Sequence, residues 1–186
     1  MPENKTWKLW EDEKVKENEA LLLRKRASEL PIPLDNEARK DVETLVSTFL
    51  RRDDAAGLAA PQIGISKRIV VFKTKNIQSG EPVKDDSEYE VLINPRITQV
   101  RGDRETMREG CLSCPDISVE VPRYPSIKVK AYDRNGNKIN KRYSGFLARV
   151  VQHEVDHLEG KLIIDRGTTI YYPQEKELFF ESLFKK

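Results

Sequence analysis

The apolar positions of the chain fall into two periods. Val42, Leu45, Val46, Phe49 and Leu50 recur at intervals of three and four, which gathers them on one face of a helix. Asp35 is a good N-cap for that helix, and the basic residues near Arg52 suit its C-terminal end. Leu21 to Leu23, Pro31 and Pro33 lead into it. Ile69, Val70 and Val71, between Arg68 and Phe72, read as a buried strand. The polar stretch from Thr74 to Glu88 follows as a long hairpin or loop. Glu90–Asn94 and Ile97–Val100 read as two strands separated at Pro95. Ile127–Asp133 and Lys138–Tyr143 flank Asn135-Gly136, the strongest short hairpin signal in the chain. The helical period returns after Ser144 or Gly145, and again after Pro173, where Phe179, Phe180, Leu183 and Phe184 share one side.

These elements predict an α+β fold: antiparallel strands around a central helix, with an N-terminal helix and a C-terminal helix over 174–186. No internal repeat, low-complexity linker or second boundary interrupts the chain, so residues 1–186 are expected to form a single catalytic domain. Residues 1–20 are rich in charged residues and carry two tryptophans, Trp7 and Trp10. They read as an arm or short helix whose tryptophans touch the body, and by composition as a solvated extension.

Charge narrows the function little. The 33 basic residues nearly balance 31 acidic ones, and the net +2 gives no argument for nucleic acid. No apolar run reaches membrane-spanning length. The N-terminus is acid-rich and lacks an apolar core, so it reads as neither a signal nor a transit peptide, and the cytoplasm is the expected location. Two cysteines, Cys111 and Cys114, make no disulfide framework. In a reducing compartment such a Cys-x-x-Cys pair more often binds metal or does redox chemistry.

Both histidines of the chain lie in one stretch, Gln152 to Gly160, reading QHEVDHLEG. His153 and His157 are one helical turn apart on the same face, with Glu154 beside them. Two imidazoles so spaced can close on one metal ion, with a carboxylate at hand to move protons. A third ligand must come from elsewhere, and the candidates are Cys111, Cys114 and many carboxylates. A metzincin would need a histidine where Ile163 stands. A thermolysin-like site would need a glutamate near Glu175 or Glu177, which follow Pro173 in a separate terminal segment. A structural zinc site on Cys111, Cys114, His153 and His157 would leave no open position, and the interval between its pairs far exceeds a zinc-finger loop. A catalytic Cys-His-His site with an open fourth position is the third reading.

The small-residue stretch Ala55 to Gly64 bears on that last reading. Gly57 is expected to hold a conformation open only to glycine, and Pro61 keeps Ala60 out of the helical region. Gln62 is its one polar side chain. Such a loop lets a substrate backbone lie down with an amide donor at its end, or is simply a packing feature.

Three motifs, in order, resemble the peptide deformylases: Gly57-Leu58-Ala59-Ala60-Pro61-Gln62, Glu109-Gly110-Cys111-Leu112-Ser113, and His153-Glu154-Val155-Asp156-His157-Leu158-Glu159-Gly160. The resemblance covers about Leu22 to Asp165. It departs at Ala55, where the family usually has a glycine, and the added methyl is expected to narrow the substrate groove. The resemblance implies hydrolytic removal of the formyl group from N-terminal formylmethionine, with release of formate. It implies Cys111, His153 and His157 as metal ligands, ferrous iron in the cell with zinc, nickel or cobalt able to substitute, and Glu154 as proton carrier. Gln62 and the Leu112 N–H would stabilise the oxyanion. A non-catalytic peptide-binding homologue is the alternative within the same likeness. Phe146 and Val150 share the histidines' face, and with Met107 they are expected to line the methionine slot, or to be core. The peptide is expected to lie along Ala56, Gly57 and Gly110. Cys114 matches no family ligand and reads as a core or near-site thiol. Formylated nascent peptides are the expected partners. Lys185 and Lys186 give only a weak hint of ribosome contact near the exit tunnel.

Overall fold

Trp10 is only 3% exposed, so the N-terminal segment is not the solvated extension its composition predicts. It forms a small hairpin, β1 (Trp10–Glu11) with β2 (Lys14–Val15), and then α1 (Glu17–Leu23). The Trp10 indole N–H donates to the Pro115 carbonyl at 3.0 Å, and its ring meets Phe179, Phe180 and Phe184 edge-on. Charged neighbours dominate the composition, but one indole carries enough apolar area to anchor the segment. The computed structural model describes residues 5–78 and 80–184, so the first four residues of the arm, with Lys185 and Lys186, lie outside the described residues.

Asp35 caps α2 (Asn36–Leu50) as expected, its carboxylate accepting from the Ala38 N–H at 2.8 Å. Val42, Leu45 and Phe49 pack on Leu58, Ile69, Val71 and Ile93. Those belong to β3 (Gly57–Ala59), β4 (Ile69–Lys73) and β5 (Tyr89–Arg101). A 3-10 turn, Ala60–Ile63, separates β3 from β4. The two strands expected on either side of Pro95 are one strand. Asn94 takes a left-handed φ of 52° and the register shifts between Ile93 and Arg96. The proline thus sits in a bulge, where its missing N–H costs no ladder bond. The Asn94 side chain fixes the bulge by exchanging hydrogen bonds with the Leu30 backbone, at 2.9 and 3.0 Å.

β6 (Glu105–Cys111) and β7 (Cys114–Arg123) form a hairpin where the sequence predicts only a constrained turn at Gly110 to Pro115. The period-two pattern is nonetheless there: Ile117, Val119 and Val121 are buried, with Ser118 and Glu120 between them. β8 (Ser126–Tyr132) and β9 (Lys138–Ser144) follow, joined through Asn135-Gly136 as predicted. Then come α3 (Gly145–Leu158), the short α4 (Ile163–Arg166), β10 (Thr169–Tyr171) and α5 (Glu177–Phe184).

The result is a mixed α/β architecture with two main antiparallel sheets, ordered β3-β4-β5-β8-β9 and β10-β7-β6. Ala148, Val151, Val155 and Leu158 of α3 pack on Val70, Phe72, Leu92 and Ile127 of the larger sheet. The smaller sheet packs through Ile117, Val119 and Val121 on Trp10, Leu162 and Phe180. No helix among the described residues is long and apolar enough to cross a membrane.

Candidate metal centre

α3 carries His153 and His157 one turn apart, and their Nε2 atoms stand 3.3 Å from each other. The end of β6 brings Cys111 Sγ to 3.4 Å from His157 Nε2. All three donor atoms lie within 4.8 Å of one another. Two nitrogens held tetrahedrally by zinc are about 3.3 Å apart, and a nitrogen and a thiolate about 3.6 Å apart, given ordinary bond lengths. The donor set and its spacing therefore fit a divalent ion. Cys114 stands opposite Cys111 across the hairpin, but it is fully buried among Ile117, Val119, Leu162 and Phe180 and is not part of the ligand group.

The side chains around the triangle orient it. His153 Nδ1 lies 3.0 Å from Glu109 Oε2, which leaves Nε2 for a metal. Arg123 holds both Glu109 oxygens at 2.9 Å, and Arg149 reaches Oε1 at 2.8 Å. Arg123 also donates to Asp156 at 2.5 Å, and Asp156 accepts from Arg166 at 2.6 Å. Burial would raise the Glu109 pKa, but the hydrogen bonds from Arg123 and His153 outweigh it and hold it at about 2. The thiol hydrogen bond from Cys114 and the charge on His157 overcome burial at Cys111 and hold its pKa well below the usual thiol range. Burial opposes a proton on His153, yet Cys111 and Glu109 raise its pKa well above the ordinary value. A field that draws a proton onto a buried imidazole draws a cation as well. The Nδ1 of His157 is buried without a hydrogen-bond partner among the described residues.

Glu154 projects from the same turn toward β3. It is 4% exposed, its Oε2 has no hydrogen-bond partner among the described residues, and burial raises its pKa. Gly57 lies against it. The glycine does not need an unusual φ, contrary to expectation; it is required because the Glu154 carboxylate occupies the place of a side chain. Gln62 accepts from the Ala59 N–H at 2.9 Å through Oε1, which turns Nε2 toward Cys111 Sγ, at 4.0 Å, and Ser113 Oγ, at 3.3 Å.

A cavity of about 430 Å³ opens on the triangle. Ala56, Gly57, Gln62, Gly110 and Leu112 line it, as do Phe146, Val150, Cys111, His153 and Glu154. His157 is not among the lining residues; it is buried, at 1% exposed, and its link to the cavity is through Cys111 and His153. Met107 does not join them: the β6 wall begins at Arg108, and Met107 is an exposed side chain one residue beyond it. Ala55 borders the cavity and packs into the apolar group beneath α2. Asp54, Arg108 and Arg149 also line the cavity without having been expected there; no local motif marks them.

The model of the polypeptide deformylase family matches residues 13–171. The chain belongs to that family. It is 44% identical over 131 residues to the peptide deformylase of Desulforudis audaxviator, covering 70% of this chain and 78% of that protein. It is 41% identical over 145 residues to the peptide deformylase of Thermotoga maritima, covering 78% and 80%. Among solved structures, a class I type b peptide deformylase from Acinetobacter baumannii with Met-Ala-Ser bound superposes with a TM-score of 0.70 at 30% identity, covering 87% of this chain and 96% of that one. This deformylase is therefore a metal-dependent hydrolase, and Cys111, His153 and His157 are its candidate metal site.

Proposed function

We propose that this chain removes the formyl group from the N-terminal formylmethionine of new polypeptides, with Cys111, His153 and His157 as the ligands and Glu154 as the proton carrier. The observation that carries the reading is the ligand triangle, open to a cavity, with an unpartnered carboxylate at its edge. Cys111, His153 and His157 would hold a divalent ion, which would supply Lewis-acid activation of a water, lowering its pKa toward about 7.

The chain's own residues do the rest. Glu154, made more basic by burial, takes a proton from the attacking water and returns it to the departing amine. The fixed Gln62 amide and the Leu112 N–H donate to the developing oxyanion, and losing one such donor typically costs about 2.7–4 kcal/mol of barrier stabilisation. The methionine side chain enters beside Phe146 and Val150 of α3, the central helix of the site, while the peptide extends along Ala56, Gly57 and Gly110 as an added strand. Ala55 narrows that groove relative to a glycine.

In this reading residues 1–186 act as one catalytic domain in the cytoplasm, on formylated nascent peptides close to the ribosome's exit tunnel. Ferrous iron is the cellular metal, and zinc, nickel or cobalt can take its place. Neither nucleic acid nor membrane is a partner. The burial of Cys114 in the core argues against a structural Cys2His2 zinc site. The placement of Gln62 and Glu154 at the cavity argues against a homologue that only binds peptide. The test is formate release from formyl-Met-Ala, run anaerobically with iron and again with nickel. Release with metal and none from Glu154→Ala supports the reading; no release with either metal overturns it.

A further inference from the structure

The charges that line the cavity are unevenly matched. Asp54 on one rim is clasped by Arg52, with Nε to Oδ1 at 2.9 Å and a terminal nitrogen to Oδ2 at 2.7 Å. Glu109 is held by Arg123 and Arg149. Arg149 is itself committed to Glu109 and to the Val121 carbonyl at 2.8 Å. Arg108, on the other rim, is exposed and makes no ion pair among the described residues.

It is nonetheless held in place. Its guanidinium lies 3.7 Å from the centre of the Tyr171 ring. Stacking on an aromatic face fixes the plane of an arginine without cancelling its charge. Tyr171 in turn donates its O–H to Glu120 Oε1 at 2.8 Å. Glu120 is the cross-strand partner of Arg108, and it is engaged by the tyrosine rather than by the arginine. The small sheet thus presents one oriented, unneutralised cation to the mouth of the cavity.

Its place along the peptide follows from the strand. Arg108 is three residues from Cys111 on β6, a separation of at most about 10 Å at the rise of a β-strand, since the register shifts between Glu109 and Cys111. A peptide extended alongside, with its formyl group at the ligand triangle, brings its third residue to that height. Side chains alternate along an extended chain, so the third residue points to the same side as the first, which is the cavity side.

We infer that Arg108 is a specificity-determining residue that favours formylated peptides with a carboxylate at the third position. This rests on the deformylase reading above. The experiment compares kcat/KM for C-terminally amidated formyl-Met-Ala-Asp-Ala, formyl-Met-Ala-Ala-Ala and formyl-Met-Ala-Lys-Ala. The wild type is expected to prefer Asp over Lys by about three- to five-fold, the size of an exposed charge pair. The preference should appear mainly in KM, and shrink in high salt. Arg108→Lys keeps part of it, Arg108→Gln abolishes it, and Arg108→Glu reverses it. Because Arg108 is exposed, the variants are expected to fold, and each Asp-to-Lys ratio is taken within one variant, so that a change in overall turnover does not alter it. An Asp-to-Lys ratio that is near one in the wild type, or the same in Arg108→Glu as in the wild type, overturns the inference while leaving deformylation intact. Failure of all three peptides with the loaded wild type would instead remove the deformylase reading.

Discussion

A Cβ built on Gly57 would lie 2.6 Å from Glu154 Oε1 and 2.9 Å from its Cγ and Cδ. The glycine of β3 and the carboxylate of α3 are thus a fitted pair, and the fit sets where the proton carrier stands. Gly57→Ala must push Glu154 off its place. A displacement of about 1 Å at a reacting group costs roughly 10²-fold in rate, so kcat should fall by about that factor. Metal stoichiometry should stay at the wild-type level, because the atoms nearest the new methyl all belong to Glu154, which is not one of the three ligands. Unchanged kcat would mean that the position of Glu154 is not limiting.

Glu154→Ala separates proton transfer from metal binding. The side chain is near the ligand triangle but is not one of its donors. Positioned general acid–base catalysis contributes about 10²–10⁴-fold, and turnover of formyl-Met-Ala should fall at least that far. The purified variant should still carry one equivalent of metal by elemental analysis. Near wild-type turnover would sink the proposed role.

Much of this site is legible in the amino-acid sequence, for a physical reason. His153, Glu154 and His157 are placed by the helical repeat alone, so their sequence spacing fixes their geometry. Gln62 and Cys111 come from distant elements, and only the likeness of three motifs to one family joins them to the histidines. The burial of Arg149 and Asp156 is not legible, since a charged residue reads as solvated unless its partners are known. The hairpin β6–β7 is hidden in part by polar residues along β6, of which only Glu109 is buried. The need for glycine at position 57 is legible but its cause is not, since close approach and unusual φ leave the same residue in the sequence.

Trp10 tests whether the N-terminal hairpin is part of the body. Its ring closes the apolar group around Phe179, Phe180 and Phe184, and its N–H ties to Pro115 beside Cys114. Trp10→Ala should destabilise the fold by about 3–5 kcal/mol, as truncation of a buried tryptophan does. Urea unfolding would report it as a lower midpoint at similar slope. A change under about 1 kcal/mol, by the same principle, would return the segment to the status of a loose arm.

Arg123 joins the two buried carboxylates behind the ligands, Glu109 and Asp156. Removing one member of a buried ion network leaves charge without compensation and costs about 3–5 kcal/mol. For a chain of this size each kcal/mol shifts Tm by roughly 2–4 °C, so Arg123→Met should melt about 10 °C lower. Metal affinity should fall too, by about 10–100-fold, because Glu109 orients His153. A variant with unchanged Tm and metal affinity would show that Arg149 and Arg166 suffice to hold the carboxylates.

The Cys-x-x-Cys pair is where the catalytic and structural metal readings part most sharply. Cys111 faces the histidines and the cavity, while Cys114 faces Leu162 and Phe180 in the core. Cys111→Ser should therefore lose both metal and turnover, because it replaces a soft thiolate by a hydroxyl in the ligand triangle. Cys114→Ser changes a residue outside the ligand group and should retain metal at wild-type stoichiometry. Its cost should appear in stability instead, because the more polar hydroxyl replaces a thiol within an apolar group. Elemental analysis and thermal melting of the two variants side by side read the two effects separately. Equal loss of metal from both, in a protein that releases no formate, would restore the four-ligand structural site.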